Sequence, residues 1–171
     1  MNIYTTNIKL HSITPYFINE LTKEYWFKDV QELRNNNEYN FSLTAKYIDI
    51  QYELAKLMLQ FSRNFINFEL DATRVTDAFA YVSTKNSNSP YIHNHKDFHS
   101  FTGVYYAYVP NATGGDLEFY DDDNKFIRSI KPKTNDFILF DGSLNHKPLP
   151  SNSDEYRISL NIGIQIHDRK R

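Results

Sequence analysis

The spacing of hydrophobic positions along the chain changes near residue 70. Before that point, apolar residues recur at steps of three and four in two segments, Ser12 to Trp26 and roughly Thr44 to Phe68. A polar break at Asn35 to Asn37 separates them. Such steps place apolar side chains on one face of a helix. Residues 1–70 are therefore predicted to form a mainly helical support.

After Leu70, short apolar runs alternate with turn residues. The runs are Ala78 to Val82, Gly103 to Val109, Asp116 to Tyr120, Phe126 to Ile130, Asp136 to Phe140 and Tyr156 to Ile166. Several short runs with turn signals between them predict an antiparallel sandwich or barrel. The expected architecture is a single α+β domain over residues 1–171, with a jelly-roll core over residues 71–171.

The last predicted strand has two distinct faces. Strict alternation places Ile158, Leu160, Ile162, Ile164 and Ile166 on one face, and Arg157, Ser159, Asn161, Gly163 and Gln165 on the other. Residues two apart share a face of a strand. The polar face would meet solvent in an ordinary sandwich, whereas in a jelly roll with a ligand it would line a polar cavity.

Composition and charge exclude several classes of protein. With 19 basic and 21 acidic residues, the chain has no excess charge to favour nucleic acid or an anionic membrane. The absence of cysteine excludes disulfides, thiolate zinc sites and iron–sulfur clusters. The sequence also shows no signal peptide and no long apolar span. We therefore expect a soluble, cytoplasmic protein with no nucleic-acid or membrane partner.

Candidate metal ligands occur in two places. His93, His95 and Asp97 alternate within one short segment, and His146 follows about fifty residues later. If the first segment is extended, its two imidazoles and one carboxylate point to the same side. Two imidazoles and one carboxylate with open positions form the facial triad of non-haem Fe(II) oxygenases. The same cluster, taken alone, is equally typical of a polar surface loop.

A candidate anion site lies on the polar face of the last strand. The guanidinium of Arg157 suits bidentate binding of a carboxylate, and the hydroxyl of Ser159 adds a further donor. Tyr106, between the two metal-binding segments, offers a phenol to the same carboxylate. Considered by itself, Tyr106 is more typical of a core aromatic residue.

The region from Tyr91 to Ile166 resembles the 2-oxoglutarate/Fe(II)-dependent dioxygenases. Its nearest match is the prolyl-hydroxylase-like group, which includes small bacterial and phage forms. The matching elements, in order, are the His93 to Asp97 cluster, Thr102 to Tyr106, Gly114 to Phe119, Lys131 to Phe140, Asn145 to Pro150 and Arg157 to Ser159. The resemblance covers about 75 residues and leaves the N-terminal half unmatched.

This resemblance implies a double-stranded β-helix that binds Fe(II) and 2-oxoglutarate, with ascorbate as a supporting reductant. The implied reaction is hydroxylation of an unactivated C–H bond, with a prolyl peptide as the leading substrate. Two ligand sets remain open: His95, Asp97 and His146 follow the general pattern, whereas His93, His95 and His146 follow the small bacterial and phage pattern. Charge slightly favours the first set, because a carboxylate offsets the charge of the iron. The alternatives are a cupin-type metalloenzyme without 2-oxoglutarate and a non-catalytic β-sandwich binding module.

Overall fold

The computed structural model describes residues 3–22, 38–42, 47–65, 73–87 and 91–167, with the backbone alone at 38–42. The helices within these residues are α1 (Pro15–Thr22) and α2 (Ile48–Ser62). The strands are β1 (Ile3–Asn7), β2 (Glu38–Ser42), β3 (Thr73–Ser83), β4 (Phe101–Tyr108), β5 (Leu117–Tyr120), β6 (Phe126–Ile130), β7 (Asp136–Asp141), β8 (Asn145–Pro148) and β9 (Arg157–Ile166). In this part of the chain, no helix is long and apolar enough to cross a bilayer.

The strands form two antiparallel sheets. The larger sheet has the order β1-β7-β4-β9-β3-β2, and the smaller has the order β6-β5-β8. Apolar side chains from both sheets pack together in one cluster of Val104, Tyr106, Leu117, Phe119, Ile138 and Phe140. The sheets therefore face each other, as the sequence predicts for a jelly-roll core.

Helix α2 covers the opposite face of the larger sheet. Its Leu54 and Met58 are fully buried against residues of β4, β7 and β9. Burying one such side chain contributes about 1.5–3 kcal/mol relative to leaving it exposed. The apolar helix face predicted from the sequence therefore packs on the larger sheet, which contains β9.

Strand β9 follows the predicted alternation. Ile158, Leu160, Ile162 and Ile164 are buried at 0–1% exposure in the larger core. Arg157, Ser159 and Asn161 instead line a cavity between the two sheets. Of the two possibilities that the sequence left open, the polar face lines a cavity.

Within the described residues, the helices are shorter than their predicted segments. Helix α1 begins at Pro15 because the Thr14 hydroxyl accepts a hydrogen bond from the Phe17 amide at 3.1 Å, which caps the helix. Helix α2 covers Ile48–Ser62 and is followed by a turn at 63–65. The predicted extensions at 23–26, 44–46 and 66–68 lie outside the described residues.

The N-terminal segment supplies strands as well as helices. β1 pairs with β7, where Ile3 lies opposite Phe140, and β2 pairs with β3. The prediction of a mainly helical support is therefore incomplete. Both strands are five residues long and pair with strands that are distant in sequence. Their local pattern of apolar and polar residues is therefore too short to predict a strand.

Candidate functional site

Two chain segments that are distant in sequence lie side by side at the cavity. The His93 amide donates to the His146 carbonyl at 3.1 Å, and the His146 amide donates to the His93 carbonyl at 2.8 Å. The His95 amide donates to the Gly142 carbonyl at 2.7 Å. These backbone bonds fix the position from which each imidazole extends.

The side chains of His93, His95 and His146 form one group, here called the three-histidine cluster. One ring nitrogen from each lies within 4.8 Å of the others, and the ring centroids are 4.4 to 5.1 Å apart. Imidazole nitrogens at about 2.1 Å from a common ion lie at most about 4.2 Å apart. The three nitrogens are therefore close enough to bind one metal ion after a modest movement of the rings.

Hydrogen bonds select the tautomer that a metal requires. His93 Nδ1 lies 2.8 Å from the Tyr91 carbonyl oxygen, and His146 Nδ1 lies 3.0 Å from the Leu144 carbonyl oxygen. A carbonyl only accepts hydrogen bonds, so each Nδ1 carries the proton and donates it. Each Nε2 then keeps its lone pair for a metal ion, the arrangement typical of metal-binding histidines.

Burial keeps two of these imidazoles neutral. Burial, reinforced by the charge of His93, lowers the pKa of His146 to about 3. Burial, together with the charges of His99 and His93, lowers the pKa of His95 to about 4. Both imidazoles are therefore unprotonated near neutral pH, the form in which histidine binds a metal.

Asp97 does not join this group. The chain turns directly after His95, whose carbonyl accepts hydrogen bonds from the Phe98 and His99 amides at 2.9 and 2.8 Å. The prediction that residues 93–97 form one extended segment is therefore wrong. The turn leaves Asp97 exposed and outside the clustered ligand atoms. Of the two ligand sets predicted from the sequence, the geometry favours the three histidines.

His99, to which the sequence assigned no role, packs directly against the cluster. Its ring stacks on that of His95 with centroids 4.8 Å apart. Its Nε2 lies 3.3 Å from the Asp77 carboxylate, and its Nδ1 lies 3.2 Å from the Thr102 hydroxyl. Both ring nitrogens are thus engaged. A Cβ at Gly163 would collide with the His99 ring, so glycine in this central strand was the available sequence signal for the contact.

The cavity between the sheets has a volume of about 260 Å³. Its wall includes the three-histidine cluster and residues from β3, β4, β8 and β9. The sequence-predicted residues Tyr106, Arg157 and Ser159 also line it. The fold therefore brings the candidate metal ligands and the candidate anion-binding residues to one chamber.

Arg157 is a buried cation at this cavity, with 2% of its surface exposed. Its Nη1 donates to the Gly115 and Leu149 carbonyls at 2.9 and 2.7 Å. Its buried Nε has no hydrogen-bond partner. Among the described residues, no carboxylate forms an ion pair with this guanidinium. Since a buried charge without an opposite charge is costly, the site is suited to an anionic ligand.

Two hydroxyl donors accompany this guanidinium. Tyr106 lies opposite Ser159 across the β4–β9 ladder, and both are at most 5% exposed. Burial raises the pKa of Tyr106 to about 12, although the nearby Arg157 charge opposes the shift. The phenol therefore stays protonated at neutral pH and can donate to a bound anion.

Asn94 links the two segments of the three-histidine cluster. Its side-chain amide donates to the Asn145 side-chain oxygen at 2.7 Å, and Asn145 donates to the Asp121 carbonyl at 2.9 Å. We expect Asn94→Ala to weaken Ni(II) binding about tenfold, because supporting hydrogen bonds orient ligands. Calorimetric titration measures the change. The exposed Asn152→Ala variant should bind like wild type, and equal affinity of all three proteins would contradict the prediction.

Acidification is expected to destabilise the metal-free protein. In the unfolded chain the histidine pKa is about 6.5, above the folded pKa values of about 3 for His146 and about 4 for His95. Between these values the unfolded chain binds more protons, so the free energy of unfolding falls as the pH falls. The melting temperature should drop between about pH 7 and about pH 5, and drop less for His146→Gln. Equal slopes for the two proteins would contradict this.

The match to a known protein family covers all the candidate site residues named above. The sequence profile of the 2OG-Fe(II) oxygenase superfamily matches residues 77–164. That range contains the three-histidine cluster, Tyr106, Arg157 and Ser159. A comparison with curated proteins finds no sequence match.

Solved structures resemble the fold at low sequence identity. A Pseudomonas putida prolyl-4-hydroxylase is 16% identical with a TM-score of 0.60, covering 97% of this chain and 93% of that one. HygX from Streptomyces hygroscopicus, with nickel and 2-oxoglutarate bound, is 11% identical with a TM-score of 0.66, covering 96% and 82%. These likenesses confirm the predicted fold class, an α+β double-stranded β-helix.

A third similar structure contains a peptide. It is a Trichoplax adhaerens prolyl hydroxylase in complex with a hypoxia inducible factor oxygen degradation domain peptide fragment. It is 19% identical with a TM-score of 0.54, and the alignment covers 74% of this chain. The chain spans only 61% of the length of that enzyme.

Proposed function

Since this chain belongs to the 2OG-Fe(II) oxygenase superfamily, we propose that it hydroxylates an unactivated C–H bond in a protein or peptide, with a prolyl residue as the leading target. The family resemblance predicted from the sequence is confirmed, and the chain is an oxygenase that uses Fe(II), 2-oxoglutarate and O2. We also propose that ascorbate supports the reaction and that the protein is cytoplasmic.

The site assignment rests on one observation: the three-histidine cluster and Arg157 line the same cavity. Three imidazoles with converging nitrogens lie in the same chamber as a buried guanidinium that has no anionic partner among the described residues. Imidazole is a common ligand for iron, and its Nε2 lone pairs are available in His93 and His146. The donor set therefore fits Fe(II), with His93, His95 and His146 as the proposed ligands.

The bound metal and 2-oxoglutarate together supply oxidising power from O2, with succinate and carbon dioxide as co-products. The protein residues bind and orient the reactants around that chemistry. Arg157 binds the distal carboxylate of 2-oxoglutarate, while Ser159 and Tyr106 donate hydroxyl hydrogen bonds to it. Because these groups are buried, the carboxylate exchanges its water for fixed donors.

The buried Arg157 and the three-histidine cluster each argue against one of the two alternative functions raised by the sequence. A cupin-type enzyme without 2-oxoglutarate has no need of a buried cation in the cavity that holds its metal. A non-catalytic sandwich has no need of the three-histidine cluster. The family match over residues 77–164 supports the oxygenase in preference to both.

The peptide substrate is proposed from similarity of fold. The two prolyl hydroxylases named above share this architecture, and one contains a peptide fragment. The proposed prolyl target is tested directly by the reaction with peptides.

Mass spectrometry tests the substrate class. Pools of proline-containing peptides are incubated with the Fe(II)-loaded protein, 2-oxoglutarate and O2, beside matched pools in which alanine replaces proline. We expect the gain of one oxygen atom on prolyl peptides, together with succinate. Oxygen gain on the alanine pools alone, or on no peptide in either pool, would overturn the prolyl assignment.

A further inference from the structure

Asp77 is a partly exposed carboxylate in the wall of the cavity. Its side chain is 45% exposed, and it is the one acidic residue among the described residues that line the cavity. The strand register shifts between Val75 and Asp77, so a bulge directly precedes it. Bulges are common beside active sites, where they redirect a side chain.

Asp77 and Arg157 lie at opposite ends of the cavity. On the β3–β9 ladder, Asp77 is opposite Gly163, whereas Arg157 is opposite Ser83, six positions further along β3. At about 3.3 Å per residue the two ends are roughly 20 Å apart along the sheet. Arg157 is almost fully buried and Asp77 is partly exposed. Asp77 therefore marks the mouth of the cavity, and Arg157 marks its deep end.

The carboxylate is ionised and keeps capacity for another partner. Burial raises the pKa of Asp77, but the hydrogen bond and charge of His99, with a backbone bond from Gly163, outweigh burial and lower it overall. An ionised carboxylate has about four acceptor sites. Because the side chain is 45% exposed, a positive group on a ligand can reach the remaining sites.

Support of His99 does not by itself require a negative charge at this position. A neutral amide oxygen would accept the same hydrogen bond from His99 Nε2. A carboxylate beside a cavity that binds the dianion 2-oxoglutarate also opposes that binding electrostatically. The contact with His99 therefore does not explain why residue 77 carries a negative charge.

The wall next to Asp77 suits the stem of a basic side chain. Phe79 and Tyr81 alternate with Ala78 and Ala80 along β3, and both aromatic residues line the cavity. Aromatic faces attract cations and cover methylene groups. A positive group held by Asp77 would thus have aromatic surface between the mouth and the deeper part of the chamber.

We infer that Asp77 is a specificity-determining residue that binds a cationic group of the substrate, an ammonium or a guanidinium, at the mouth of the cavity. The inference rests on the proposed function in one respect, since the substrate is taken to enter the cavity that holds the metal and 2-oxoglutarate. A basic residue of a peptide and a free polyamine offer the same chemistry.

Ligand-detected NMR tests the charge preference without turnover. The probes are acetyl-Gly-Lys-Gly-amide, its neutral norleucine counterpart and spermidine, each titrated against the protein with and without Ni(II) and 2-oxoglutarate. Partly exposed charge pairs change affinity by up to about fivefold. We expect wild type to bind the lysyl peptide about fivefold more tightly than the norleucyl peptide.

Two variants separate charge from structure. Asp77→Asn keeps an acceptor for His99 and should bring the ratio of the two peptide affinities close to unity. Asp123→Asn, on an exposed turn outside the cavity, should keep the wild-type ratio. A ratio near unity in wild type, including no binding of either peptide, would overturn the inference. A preference that persists in Asp77→Asn would also overturn it.

The remaining outcomes identify the ligand or bear on the proposed function. Tighter binding of spermidine than of the lysyl peptide, lost in Asp77→Asn, would support the cationic subsite and identify a polyamine as its ligand. Failure of Ni(II) and 2-oxoglutarate to bind would count against the proposed function. The metal-free titration still measures the charge preference in that case, so the two failures are distinguishable.

Discussion

Replacement of His146 by alanine is expected to abolish metal binding and 2-oxoglutarate-dependent succinate formation. His146 lies 4.4 Å from His93 and 5.1 Å from His95, ring centroid to ring centroid, so it completes the three-histidine cluster. Loss of one of three protein ligands leaves two, which hold a divalent ion poorly. Metal content after dialysis against Fe(II) under argon, together with succinate production, measures the effect.

Two further variants identify the third ligand. His93→Ala should lose metal binding like His146→Ala, whereas Asp97→Ala should retain it because Asp97 lies on the exposed turn outside the cluster. Circular dichroism of each variant separates a lost ligand from a lost fold. Retained metal and activity in His146→Ala would show that the site is wrongly assigned, and loss in Asp97→Ala alone would restore the carboxylate set.

Replacement of Arg157 by alanine is expected to raise the KM for 2-oxoglutarate about 100-fold, with a smaller change in kcat. Truncating one partner of a buried, hydrogen-bonded charge pair costs about 2–5 kcal/mol. The effect falls mainly on co-substrate binding because Arg157 lies at the deep end of the cavity, among its buried residues. Initial rates of succinate formation at varied 2-oxoglutarate concentration measure it.

Ser159→Ala is the matched comparison for Arg157. It removes one neutral donor from the same strand, and a neutral hydrogen bond contributes about 1 kcal/mol. Its KM should therefore rise about fivefold, well below the effect of Arg157→Ala. An Arg157→Ala variant with unchanged KM and retained metal-dependent activity would favour a metalloenzyme without 2-oxoglutarate.

Much of the cavity could be predicted from local pattern. The alternation of β9 depends only on neighbouring residues. It placed Ile158 and Leu160 on the face that is buried in the core, and Arg157 and Ser159 on the opposite face, which lines the cavity. His146 was recognisable because it follows a strand and a turn, although its own strand β8 was not predicted. Local periodicity specifies faces well because side-chain direction follows directly from the backbone.

Features that depend on contacts between distant segments could not be predicted in the same way. Backbone hydrogen bonds to the His95 carbonyl stabilise the turn that follows this residue. The nearby β-bridge between His93 and His146 joins residues more than fifty positions apart. Alternation from His93 therefore gave the wrong position for Asp97. The contact of His99 with Asp77 likewise depends on the packing of β3 beside the turn that carries His99. Sequence spacing alone carries little information about such contacts.

Anaerobic titration of the protein with Fe(II) and 2-oxoglutarate tests the central claim most directly. When 2-oxoglutarate chelates Fe(II) it produces a weak visible charge-transfer absorption, which neither reactant gives alone. We predict that wild type develops this absorption, which saturates at equimolar Fe(II). His146→Ala should not develop it. Arg157→Ala should develop it only at a much higher concentration of 2-oxoglutarate. No absorption in folded wild-type protein at saturating Fe(II) and 2-oxoglutarate would contradict the account.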